Sequence, residues 1–162
     1  MTRVLAITIL VWIFYLIEFL LFNFFGKWFT PNLLLILIIF FNLYLGIRYS
    51  LLTAVIAGIF KDSFSIDFFG LNILSFVICA FLTTLIKRYL YQIGSISSRV
   101  LMVFLVTMAS VFINFILDSM LSVNDFQEMI VHILFPEVLV TTVMASYVWG
   151  ELKKCMVRFS IR

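Results

Sequence analysis

Residues 4 to 25 form an apolar run in which Glu18 is the only charge. As a helix rising about 1.5 Å per residue, the run reaches about 33 Å, enough to cross a hydrocarbon layer of about 30 Å. A stretch of this kind cannot be placed on a water-soluble domain without burying it on every side. It is also too long for the core of a cleaved secretory signal, and no small-residue cleavage site follows it. We therefore read it as a retained first membrane helix behind Arg3.

The rest of the chain follows suit. Only 12% of the residues are charged and 65% are hydrophobic, against about a quarter charged in ordinary soluble proteins. Apolar segments recur at spanning or near-spanning length, without the alternation of a membrane β-barrel. The expected fold is an all-α membrane protein: one domain over residues 1–162 with six transmembrane helices, at about 4–25, 32–47, 49–62, 69–86, 100–121 and 129–149. Between the first two, Trp28 is an interfacial anchor type. Pro31 is placed to open the second helix, with Thr30 as its cap. Arg48 marks the turn into the third helix, where Ala54, Ala57 and Gly58 have helix-packing spacing.

Six spans put both termini on one side. That side holds Arg3, Arg48, Lys87, Arg88, Arg99, Lys153, Lys154, Arg158 and Arg162, and the other only Lys27 and Lys61. Basic residues of short loops stay cytoplasmic, so both termini are expected in the cytoplasm. The acids then fall in the outward half: Glu18, Asp62, Asp67, Asp118, Asp125, Glu128 and Glu137, with Glu151 alone inside.

The densest polar cluster is GIFKDSFSIDFFG, Gly58 to Gly70. A carboxylate near membrane depth is costly unless paired or wetted, so Asp62 is a candidate site. It either caps helix ends within the chain, the preferred reading, or holds a partner. Glu18, Asp118 and Glu137 either line an outward polar cavity, paired with Lys27 or Lys61, or reach separately for water. Pro136 is expected inside the sixth helix, kinking it.

Catalysis finds no support in the residues: there is no Ser-His-Asp set and no phosphate loop. One histidine, His132, and two separated cysteines, Cys79 and Cys155, do not make a metal centre. No cofactor is expected, and the basic residues are too dispersed for nucleic acid.

The order of these pieces resembles the MreD family, the multi-span component of the bacterial rod-shape system. The resemblance is carried by TPNLLLILIIF at the second helix, by Gly58, Asp62 and Gly70, and by Asp118 and Pro136-Glu137. Its departures are the crowding of Phe64, Phe68 and Phe69 after Asp62, and Lys61 beside it. The resemblance implies a fold similar to the S-components of energy-coupling-factor transporters. It implies a non-enzymatic scaffold in the inner membrane that binds MreC. MreB, RodA and a class B penicillin-binding protein would be further partners, and membrane lipids surround it. The competing reading is such an S-component itself, with a small-molecule cavity lined by Glu18, Asn114, Asp118 and Glu137.

Overall fold

The computed structural model describes residues 2–26, 31–64, 69–90, 96–121 and 135–158. Among the described residues the chain is entirely helical, with six helices and no strand: α1 (Thr2–Phe25), α2 (Leu33–Leu45), α3 (Ile47–Phe64), α4 (Leu71–Leu90), α5 (Ile96–Leu121) and α6 (Phe135–Arg158). Three carry segments long and apolar enough to cross a membrane by themselves: Val4–Phe25, Leu71–Tyr89 and Ser97–Leu117.

The bundle is built around α2, which touches all five other helices. Its sequence, LLLILIIFFNLYL, is apolar on every side, the pattern of a helix with no solvent face. Leu33 to Leu43 are all buried. With 13 residues it extends only about 20 Å, short of a full crossing. A helix this short and this enclosed cannot leave its terminal N–H and C=O groups to water. Four N–H groups at one end and four C=O groups at the other need partners, and burying them unpaired would cost about 1–3 kcal/mol each.

The turns differ from the sequence reading in instructive ways. The α2–α3 turn lies at Gly46, not at Arg48, which falls in the first turn of α3. Gly46 has φ +90°, a region that glycine enters without a Cβ penalty. Its N–H closes α2 on the Phe41 carbonyl (3.1 Å), and its own carbonyl accepts from Ser50 N (3.3 Å). The N-cap of α2 is Asn32, whose Oδ1 accepts from Leu35 N at 3.2 Å. Pro31 is buried two residues before the helix, and Thr30 lies outside the described residues, as do Trp28, His132 and residues 65–68 of the Phe-rich loop. Pro136 stands in the first turn of α6 rather than in its interior. There a proline lacks no helical hydrogen bond, so the expected kink does not arise from it.

A small residue sets how near α3 and α4 come. Ala54, Ala57 and Gly58 are buried on α3. A Cβ built on Gly58 would lie 2.5 Å from the Cα and 2.8 Å from the N of Ile73 on α4. The stripe is thus buried inside the bundle, and at Gly58 it meets α4. Outside, the bundle is apolar: Leu5, Trp12, Phe19 and Phe24 on α1, Phe81 on α4, Phe112 on α5 and Val143 on α6 are exposed. An exterior of this composition is solvated by lipid, not by water.

Candidate functional site: the acidic end of the bundle

Asp62 ends its helix facing the start of the next. It is only 3% exposed, yet both carboxylate oxygens are saturated. Oδ2 accepts from Gly70 N (3.0 Å) and Ile73 N (3.2 Å). Oδ1 accepts from Asn72 N (3.1 Å) and from the Asn72 side-chain amide (2.8 Å). The three backbone donors belong to the N-terminus of α4, where helical geometry leaves them without carbonyl partners and where the dipole favours negative charge. Gly70, at φ +107°, turns the chain so that its N–H points back at Asp62. Gly58, one turn before Asp62 on α3, lets α4 come close enough for the carboxylate to reach.

Glu18 performs a related task for α2. From the second half of α1 it accepts from Leu34 N at 3.4 Å, and its other oxygen lies 3.6 Å from Lys61 Nζ on α3. Lys61 also lies over the Phe76 ring of α4, 5.4 Å from its centroid. The cation is therefore shared by an acid and an aromatic face across three helices.

Asn32 is the third node. Besides capping its own helix, it donates from its backbone N–H to Thr141 Oγ1 (3.0 Å) and from its side-chain amide to Glu137 Oε1 (3.2 Å). Glu137 is itself an acid in the first turn of α6. The three acids whose side chains are described at this end thus all stand beside the start of a helix. Glu18 and Asp62 accept from N-terminal N–H groups of α2 and α4, while Glu137 stands in the first turn of α6, where the dipole favours an acid, and grips Asn32. Asp118 lies near the end of α5, and its side chain, like that of Pro136, is outside the described residues.

The opposite end carries the complementary charge, which the sequence reading had used only for topology. Lys87 Nζ, from the last turn of α4, donates to the carbonyls of Asn42 (3.1 Å) and Leu43 (3.0 Å). It meets the C-terminal C=O groups of α2, where a cation is favoured. Between the two ends Asn42 supplies a polar rivet. Its amide nitrogen donates to the Ala80 carbonyl (2.9 Å), Thr84 Oγ1 (2.9 Å) and Ser50 Oγ (3.3 Å), and Ser50 Oγ donates to the Ile38 carbonyl (3.1 Å). Asn42 interrupts the otherwise apolar sequence of its helix, but nothing in that sequence names its partners.

Chemically, the arrangement holds helices rather than reacting groups. Among the described residues no group of three or more His, Cys, Asp or Glu side chains could hold a metal ion. The carboxylates of Glu18 and Glu137, expected to face a ligand cavity in the competing reading, are instead engaged with Lys61, Leu34 and Asn32.

A bundle that is helical throughout its described elements, with a lipid-type exterior, three helices of spanning length and buried polar residues acting as helix caps, defines a helical membrane protein. The family described as rod shape-determining protein MreD matches residues 1–156, nearly the full length, and the chain belongs to that family. No curated protein and no solved structure matches the chain.

Proposed function

We propose that the protein is a non-enzymatic scaffold of the rod-shape and wall-elongation machinery in the bacterial cytoplasmic membrane. It would dock MreC and help couple MreB to RodA and a class B penicillin-binding protein. The observation that carries this reading is family membership over residues 1–156. It is supported by the bonding of Glu18, Asp62, Asn32 and Glu137, which commits the intramembrane polar groups to holding helices in place. It is supported also by α1, which packs on α2 and α3 while leaving Trp12, Phe19, Leu20 and Phe24 exposed. That ridge suits a partner's single transmembrane helix.

Six spans with both termini in the cytoplasm are the topology of this proposal, resting on the distribution of Lys and Arg. The S-component-like arrangement of helices belongs to it as well.

The test is native purification from the source membrane in mild detergent, with co-purifying proteins identified by mass spectrometry. MreC in stoichiometric amount is the expected result. Recovery instead of a transporter's transmembrane coupling subunit and its paired ATPases would overturn the proposal.

A further inference from the structure

At the end of the bundle where Lys87 caps α2, a cavity of about 230 Å³ opens between the start of α5 and the last turns of α6. Val100 and Val103 of α5 line it with Ala145 and Trp149 of α6, and Arg99 and Lys153 bring two cations to it. Its floor is fixed. Trp149 is 7% exposed, meets the Phe40 ring edge-on at 5.3 Å, and donates from Nε1 to the Tyr44 hydroxyl at 3.4 Å. Lys153 Nζ stands 5.9 Å from the centroid of the Tyr44 ring.

The charge balance is one-sided. The nearest acid on α6, Glu151, is taken by Lys154 at 2.6 Å. Among the described residues no carboxylate pairs with Arg99 or Lys153. Two cations beside an apolar, aromatic-floored groove call for an amphipathic anion. A guanidinium fork and an ammonium together match a phosphodiester, and the apolar wall matches hydrocarbon rather than a hydrated ion. The volume lies below the range of about 300–1,000 Å³ usual for small-molecule sites, so it suits a headgroup and the first part of a chain. The rest of the chain would lie on the exterior of the same helices, where Phe104 and Val143 are exposed. Tryptophan and tyrosine beside basic residues also mark the headgroup level of a membrane.

We propose that this α5–α6 groove is a binding site for one anionic phospholipid, its phosphate held between Arg99 and Lys153 and its acyl chain against Val103, Ala145 and Trp149. The inference stands apart from the scaffold reading and from its partners.

Trp149 is a built-in reporter. The full chain carrying Trp12→Phe and Trp28→Phe would be reconstituted in phosphatidylcholine vesicles containing phosphatidylglycerol, with brominated chains on one lipid or the other. Brominated phosphatidylglycerol should quench Trp149 more strongly than brominated phosphatidylcholine at equal mole fraction. In Arg99→Gln/Lys153→Gln the half-point of the phosphatidylglycerol titration should move roughly thirtyfold upward, given the attraction that each of the two basic residues adds near an anionic lipid. Lys154→Gln, outside the groove, should leave it unchanged. The charge-preserving Arg99→Lys/Lys153→Arg should keep the preference, which separates loss of charge from loss of fold. Equal quenching by the two lipids, or a preference surviving in the double glutamine variant, overturns the site. Reversal of the phosphatidylglycerol quenching by inorganic phosphate would overturn it too, assigning the cations to a free anion.

Discussion

Both nitrogen donors of Asn72 converge on one oxygen of Asp62, the backbone N–H at 3.1 Å and the side-chain amide at 2.8 Å. With Gly70 and Ile73 on the other oxygen, the carboxylate of one helix serves as the N-terminal cap of the next. Asp62→Ala leaves those donors unpaired in a buried site, and we expect a loss of about 3–5 kcal/mol, as for removal of one member of a buried charged set. Asp62→Asn keeps the shape but turns an NH₂ toward donors, so it should fall between wild type and alanine. Asn72→Ala removes one bond of the four and should cost least. Thermal unfolding in detergent gives the order. An Asp62→Asn protein as stable as wild type would show that the negative charge and second acceptor are not needed.

The approach that allows this cap predicts a second result. At Gly58→Ala the new methyl group would meet the backbone of Ile73, with Cα at 2.5 Å and N at 2.8 Å. Overpacking of this kind costs about 1–3 kcal/mol, and here it also lifts α4 away from Asp62. Because the obstacle is backbone, trimming the neighbour with Ile73→Ala should not restore stability. Recovery of the wild-type melting temperature in Gly58→Ala/Ile73→Ala would place the conflict in the side chain instead.

The acidity of one end of the bundle was legible from the sequence, but its cause was not. Apolar runs, basic loops and polar exceptions are local properties, and they were enough to find the helices and to single out Glu18, Asp62 and Glu137. What those acids touch depends on which helix starts beside them. The structure answers that α2, α4 and α6 begin at this end, each presenting the positive pole of its dipole and a set of unpaired N–H groups. Glu18 and Asp62 reach them from preceding helices, 16 and 8 residues away in sequence. Asn32 was visible as part of a Pro-Asn pair, yet its grip on Glu137 and Thr141, more than 100 residues on, could not be read from spacing. The misplaced turn at Arg48 has a simpler origin. The charge attracted the boundary, whereas the positive φ needed between two nearly abutting helices fell on Gly46.

Lys87 looked like one more topology-setting charge, and its contacts predict more. Lys87→Met keeps the apolar stem and removes the bonds to the Asn42 and Leu43 carbonyls. The cost should be about 1–3 kcal/mol, because the Asn42 and Leu43 carbonyls belong to buried residues and would lose their donor. Arg88→Met, the adjacent exposed cation, should cost less than about 0.5 kcal/mol. Equal losses at the two positions, measured by thermal unfolding, would reduce Lys87 to a topological charge.

The ion pair between Glu18 and Lys61 gives the most discriminating test of how the acidic end works. The two groups are 3.6 Å apart, with side chains 15% and 28% exposed, so each would lose hydration without recovering it if the other were removed. Breaking a largely buried pair on one side costs about 3–5 kcal/mol, whereas replacing both partners is often close to neutral. Glu18→Gln keeps an acceptor for Leu34 N and isolates Lys61, and Lys61→Met isolates Glu18. Each single variant should therefore be less stable than Glu18→Gln/Lys61→Met. The double variant should retain the cap on α2, since glutamine still presents an oxygen to Leu34. A double-mutant cycle on melting free energies should return a coupling of about 1 kcal/mol or more, within the range for contacting residues. Strictly additive losses would mean that Glu18 and Lys61 act separately, Glu18 on the helix end and Lys61 on the face of Phe76.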